Sequence, residues 1–519
     1  MSRMANRLMK LAWLALLLCA PAAARSEWHE ASSKHFLVYS EGSPQSVRDF
    51  ATKLEKFDKA MRLRLGFHDE DLGPGNRVTV FVVDNAGAVQ RLARAKGSSI
   101  AGFYSGRAGT SLAVVPRTSG SGRVTDLNPA TILLHEYSHH LMLQNAAAAY
   151  PAWFREGFAE FYSTARFEKD GTIGFGAAAN HRAWGLVGMS PLPIELLFDP
   201  TRRKLSMAEW EATIYGRGWL LTHYLTFDPA RKGQLSAYLN AIQGGKKSLE
   251  AAQSAFGDLK MLDRELKTYL NRRMIPYLPI KAELLTIQPV TLRALRPGEE
   301  AIMELRMRSR VGVTRDDVAR VARDMRKAAA PWPDDPAVQA ALAEAEFDAR
   351  VLDAAEAAAA RAIAADPKNV DALTYRAMVA FERAKESTGE AAWKAVRGLI
   401  GKANRADPND PRPLILYFRS FGEQGVAPTR LAVEGLLQAF ALAPQDVGLR
   451  MNAARQLLVD GKAAEARRAL IPIAYDPHGG ELAEAIAAVI AKLDSDGAKA
   501  ALEAWDQAQK DSEKEPSGT

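Results

Sequence analysis

The stretch ILLHEYSHHLM, from Ile132 to Met142, sets two histidines four residues apart with a glutamate directly after the first. On a helix, such positions lie one turn apart on one face, so the imidazoles of His135 and His139 can reach a single ion. Glu136 falls about 100° round the axis, beside such an ion and not on it. Asn128 and Pro129 mark the helix start, one as a cap and the other with its fixed φ at the first position. The helix then runs through ATILLHEYSHHLMLQNA. The same letters also fit a helix whose histidines are merely structural, and the neighbouring segments bear on the choice.

A catalytic zinc takes three protein ligands and keeps one position open for water. A metzincin pattern would require glycine at 142 and histidine at 145; Met142 and Asn145 exclude it. The other common source is a glutamate on the following helix. PAWFREGFAEFY (151–162) begins with a helix-starting proline and carries Glu156 in its first turns. Gly157 follows, and its missing side chain lets two helices approach closely.

Together these motifs resemble the gluzincin metallopeptidases. WFREGFAEF is similar to the segment bearing the third zinc ligand in aminopeptidase N-like enzymes, and the nearest pattern is the peptidase MA-like domain. Members of that family often carry tetratricopeptide repeats behind the catalytic part. The resemblance covers roughly residues 27–275 and implies an α+β zincin-like metallopeptidase domain. It implies one Zn2+ per chain held by His135, His139 and Glu156, with Glu136 as general base. It also places Tyr215, in IYGRGWLLTHYL (214–225), as the hydroxyl that stabilises the oxyanion, on a helix opened by a Ser206–Glu209 capping box. Glu160, one turn after Glu156, matches a carboxylate that orients a ligand histidine. His140, His181 and His223 have no partner pattern and read as structural.

At 519 residues the chain is too long for one core, and two to four domains are expected. Its 47% apolar and 25% charged residues are ordinary for a globular protein. Arg3, Arg7 and Lys10 precede an apolar run from Leu11 to Ala20 and the triplet Ala22–Ala24, which reads as a secretory signal over 1–24. Its removal takes away three basic and no acidic residues, lowering the formal charge from +7 to +4. That mild balance points away from nucleic acid. The single cysteine, Cys19, lies in the signal, and Leu18 before it is larger than a lipidation site wants. The mature chain then has no disulfide, no thiol nucleophile and no stable membrane anchor. These features predict a periplasmic or secreted bacterial protein.

HFLVYS (35–40), RVTVFVVD (77–84), GFY (102–104) and LAVVP (112–116) read as strands. LAVVP is expected at the sheet edge above the cleft, where an extended peptide could add as a strand. Ser43-Pro44 opens a helix with Val47, Phe50, Leu54, Phe57 and Met61 on one face. FEKDGTIGFG reads as a hairpin turning at Asp170-Gly171, within a region, 165–205, that can shape the cleft. After residue 315 the sequence becomes alanine-rich and helical. Prolines 336, 367, 408, 444 and 477 recur at intervals of 31, 41, 36 and 33 residues, a period near that of stacked helix pairs. The pattern resembles a degenerate tetratricopeptide array, with a generic alanine-rich bundle as the alternative. The expected organisation is a peptidase domain over 25–275 with an N-terminal α/β part, a strand-containing connector over 276–314, an all-α tetratricopeptide-like array over 315–510 and a disordered tail over 511–519.

Between Asn85 and Thr125 there is no acidic residue, while Arg91, Arg94, Arg107, Arg117 and Arg123 are present. The Gly-Ala-Met-Glu-Asn segment of aminopeptidases is also missing, so nothing there would hold a substrate's free amine. The expected function is therefore an exported zinc endopeptidase acting on a peptide or protein, with its repeats free to bind a protein partner. The competing expectation is a catalytically inactive scaffold or adaptor acting through its repeats.

Overall fold

The computed structural model describes residues 27–95, 100, 102–117, 129–386 and 389–514. The signal segment with Cys19, Arg123, the capping role of Asn128 and the end of the tail at 515–519 lie outside the described residues. None of the described helices is long and apolar enough to cross a membrane.

A six-stranded mixed sheet organises the first part of the chain. Its strands are β1 (Trp28–Ser32), β2 (Phe36–Glu41), β3 (Val78–Val83), β4 (Phe103–Ser105), β5 (Leu112–Pro116) and, from the connector, β9 (Thr291–Ala294). They lie in the order β4-β5-β3-β2-β1-β9, with β2, β3 and β5 parallel and β1, β4 and β9 antiparallel to their neighbours. LAVVP is therefore not the edge: β5 pairs with β3 on one side and with β4 on the other. Its run of apolar residues is buried on both faces, as expected of a strand covered above and below. The short β4 takes the edge instead. A second sheet joins β6 (Arg166–Phe167), β7 (Ile173–Phe175) and β8 (Leu278–Ile280). Gly171, at φ 87°, turns the β6–β7 hairpin where Asp170-Gly171 predicted it.

Helix α1 (Pro44–Leu65) starts at Ser43, whose hydroxyl accepts from the Ser46 amide, and ends at Gly66 in the left-handed conformation. It buries Val47, Leu54, Phe57 and Met61 against Phe36, Val38, Val78 and Val80 of the sheet. After α2 (Ala86–Leu92) come the two site helices, α3 (Pro129–Asn145) and α4 (Ala152–Ser163). The short α5 (Glu195–Phe198) and α6 (Met207–Trp210) lead into a π-helical turn, Glu211–Arg217, and then α7 (Gly218–Phe227). Helices α8 (Gln234–Gln243), α9 (Ser248–Phe256) and α10 (Leu259–Leu270) complete the front part. The opposite sheet face packs Tyr39, Phe81 and Val114 on Met303 and Met307 of α11 (Pro297–Val311).

The remaining described chain is an all-helical repeat array: α12 (Arg315–Ala329), α13 (Pro336–Asp348), α14 (Leu352–Ala365), α15 (Val370–Lys385), α16 (Glu390–Ala406), α17 (Pro411–Glu423), α18 (Arg430–Leu442), α19 (Val447–Val459), α20 (Ala463–Ala474) and α21 (Gly480–Lys514). The last helix bends at Gly497, φ 85°, and reaches four residues into the stretch expected as a disordered tail. Of the recurring prolines, Pro336 opens α13 and Pro367, Pro408, Pro444 and Pro477 lie in the turns between pairs. There Asp335, Asn369, Asp410 and Asp446 cap the next helix by accepting backbone N–H groups.

Several of these turns touch the front part. Asp446 accepts from the Ala108 amide at 2.8 Å, Gln445 donates to Ser111 at 3.2 Å, and the Asn409 carbonyl accepts from Asn76 at 2.7 Å. Arg450, in α19, donates to the Leu143 carbonyl near the end of α3 at 3.2 Å. Apolar side chains of α19, α20 and α21 belong to the same cluster as Tyr137 and Trp153 of the site helices.

Candidate metal centre

Helix α3 presents His135 and His139 one turn apart, with their Nε2 atoms 3.2 Å from each other. Helix α4 brings Glu156 opposite, its Oε2 lying 3.2 Å from His135 Nε2 and 3.4 Å from His139 Nε2. A tetrahedral zinc with ligands about 2.0–2.1 Å away sets neighbouring ligand atoms about 3.4 Å apart. The three observed separations fit that spacing. Two buried polar atoms here, His139 Nδ1 and Glu156 Oε1, make no hydrogen bond. Two imidazole nitrogens and one carboxylate oxygen also match zinc's nitrogen and oxygen preference.

The approach of the helices rests on paired glycines. A Cβ on Gly157 would lie 2.4 Å from the Gly218 carbonyl oxygen, and one on Gly218 would lie 2.6 Å from that of Trp153. Helix α4 can press against α7 only because both side chains are absent. Glu156, one residue before this contact, is wholly buried. The crossing also brings the π turn ahead of α7 toward the histidines, so that the Tyr215 ring stacks on that of His135 with centroids 6.0 Å apart. Arg182 covers the tyrosine ring, its Cζ 4.6 Å from the centroid. Burial and the Glu156 carboxylate push the Tyr215 phenol well above its ordinary range, so the hydroxyl stays a neutral donor.

Glu160 is buried beneath His135, with Oε1 3.4 Å from Nδ1. It accepts from His181 at 2.7 Å and from Arg182 at 2.6 and 3.0 Å. Burial opposes its charge, but the His181 hydrogen bond and the Arg182 guanidinium hold its carboxyl down to about 2. The His181-Arg182 pair follows the β6–β7 hairpin, which makes that region a support of the site. Sequence reasoning missed His181 because its partner lies 21 residues away on another element. The other two histidines are structural. His140 bonds to Tyr104 of β4 at 2.6 Å, and His223 to Tyr269 at 2.8 Å and to the Gly176 carbonyl at 2.9 Å.

Glu136 is half-buried and makes no hydrogen bond or ion pair among the described residues. Its charge acts on His135, Tyr215 and Tyr104, so it stands within the electrostatic reach of all three. Burial opposes a charge on His135, but Glu156, Glu160 and Glu136 outweigh it and raise the imidazole to about 9. Three carboxylates thus converge on a small volume, a field suited to a divalent cation.

A residue that the sequence did not flag also enters. His478, from the turn before α21, places Nε2 3.4 Å from Glu156 Oε1 and 3.3 Å from the Tyr215 hydroxyl. It lies more than 320 residues from Glu156 in sequence, and nothing in YDPHG marks it as part of a site. A second histidine–carboxylate cluster, His35 with Glu55 and Asp58, differs in kind: Arg62 binds both oxygens of Asp58 at 2.9 Å, and the group is a salt-bridge network.

No protein-family model matches the chain, and no curated protein matches it. Among solved structures, one described as a thermophilic TPR protein in Thermus thermophilus aligns at 15% identity and a TM-score of 0.31, covering 37% of this chain and 97% of that one.

Proposed function

We propose that this chain is an exported zinc-dependent metallopeptidase that hydrolyses internal peptide bonds. The observation that carries the reading is the convergence of His135, His139 and Glu156 at tetrahedral ligand spacing, beside a glutamate free of other partners among the described residues. When bound, zinc would supply a Lewis acid that lowers the pKa of water toward neutrality and polarises the carbonyl. Glu136 takes the proton from the attacking water and hands it to the leaving amine. The Tyr215 hydroxyl donates to the carbonyl oxygen as negative charge develops there. Glu160, itself fixed by His181 and Arg182, holds the His135 ring in the orientation that leaves Nε2 facing inward.

The substrate would lie along β4, which pairs on only one side among the described residues and is tied to α3 through Tyr104 and His140. An extended peptide added there would cross the site as a strand. The repeat array would offer its remaining surface to a protein partner.

Glu136→Gln keeps the side chain's shape and removes its basicity. Wild-type protein should hold about one zinc per chain, a structural consequence of a three-ligand site. The variant should keep that zinc while peptide hydrolysis falls by roughly two to four orders of magnitude. Metal analysis and a fluorogenic peptide assay read the two quantities separately. An empty wild-type site would favour the scaffold function, and full activity in the variant would overturn the role given to Glu136.

A further inference from the structure

We infer that the repeat array completes the candidate metal site, with His478 acting as a positioning residue that fixes the outer oxygen of Glu156 and the hydroxyl of Tyr215. This rests on the zinc reading above and goes beyond it, because it makes the array part of the site and not only a docking surface.

Glu156 turns Oε2 toward both histidines, which leaves Oε1 buried without a hydrogen bond. A buried carboxylate oxygen in that position needs a donor, both to offset its lost hydration and to keep the group from rotating. His478 Nε2, at 3.4 Å, is placed to donate, and the same nitrogen lies 3.3 Å from the Tyr215 hydroxyl. The imidazole is not a fourth ligand. His135, His139 and Glu156 have ligand atoms within 4.8 Å of one another, and His478 does not join that set.

The turn that carries His478 is pinned to the same helix. Arg155, next to Glu156, pairs with Asp476 at 3.3 Å, and Asp476 accepts from the His478 backbone amide at 3.0 Å. Gly480, at φ 49°, then lets the chain swing into α21. Two successive residues of α4 are therefore held by one turn of the array. That arrangement keeps Glu156 presenting a single oxygen to the two histidines.

The test uses the full-length mature chain and zinc affinity measured by chelator competition. His478→Ala should bind zinc about 10- to 100-fold more weakly, the usual effect of losing a partner behind a ligand. His478→Gln, whose amide can donate from nearly the same place, should recover most of the affinity, whereas His478→Phe, which fills the space without a donor, should behave like alanine. The side chain is 59% exposed, so none of these changes empties a core position. Alanine and phenylalanine variants that bind zinc within about twofold of wild type would overturn the inference while leaving the zinc site intact. A glutamine variant as weak as alanine would overturn the donor role. Wild-type protein that binds no zinc would instead defeat the underlying function.

Discussion

His35 shows how far a single buried ion pair can reach into stability. Its Nδ1 lies 2.6 Å from Glu55 and 3.3 Å from Asp58, and its Nε2 is 3.2 Å from Asp69. Burial opposes its charge, but Glu55 and Asp58 outweigh burial and Arg62, and raise its pKa. The Glu55 carboxyl moves the other way: burial opposes its charge, and the His35 contacts lower its pKa. A raised histidine stabilises fully below its unfolded value, about 6.5, and loses that contribution as pH climbs through the folded value. A lowered glutamate stabilises above its unfolded value, about 4.3, and loses it as pH falls. The two overlap in mildly acidic solution. His35→Gln should therefore lower the denaturation midpoint more at pH 6 than at pH 9. Equal losses at both pH values would mean that the ring is neutral in the folded state. Nothing in HFLVYS announced this network, because the partners come from a helix twenty residues on, whereas His135 and His139 were legible since helical geometry alone brings them together.

At the scale of the element, the crossing of α4 and α7 is set by two glycines. Gly157→Ala would drive a Cβ to 2.4 Å from the Gly218 carbonyl oxygen and 2.5 Å from its carbon, backbone atoms that cannot move without shifting a helix. Overpacking of this kind typically costs about 1–3 kcal/mol, occasionally more. The displacement would also carry Glu156 away from the histidines, so zinc affinity should fall together with the melting temperature. A variant with normal stability and normal zinc binding would show that the crossing tolerates a wider gap. The reason for a glycine at 157 was readable in the sequence, and its partner at 218 was not. The strands divide in the same way. HFLVYS and RVTVFVVD announced themselves through β-branched and aromatic runs, but β1 (WHEAS) and β9 (TLRA) are short and partly polar, and pairing of β1 with β2 and of β9 with β1 is what makes them strands. Expecting LAVVP at the edge overlooks its unbroken apolar run, which argues for the interior through burial on both faces.

Across the whole molecule, the period of the prolines announced a helical array but not where its turns point. The structure adds that Asp and Asn in those turns cap the helices that follow, and packing decides that some of them also face the front part. The clearest tie is Arg450, which is 2% exposed. Its guanidinium donates to the carbonyls of Pro444, Leu143 and Ala469, joining two array helices to the end of the helix that carries His135 and His139. Burial and the nearby Arg155 pull its pKa down to about 10, so it remains charged at neutral pH. Around it, Leu457, Leu470 and Ile486 share an apolar cluster with Tyr137 and Trp153. With polar and apolar contacts continuous across the boundary, the front part and the last array helices should unfold together, in contrast to the separate array that the proline periodicity suggests. Arg450→Met keeps the buried volume while leaving three carbonyls without their donor, a loss on the order of 1–3 kcal/mol for each group that water cannot reach. Calorimetry of the full chain should then give one transition that moves to lower temperature without dividing. A second, separate transition in the wild type would mean that the array melts by itself, and that the site helices owe it nothing in stability.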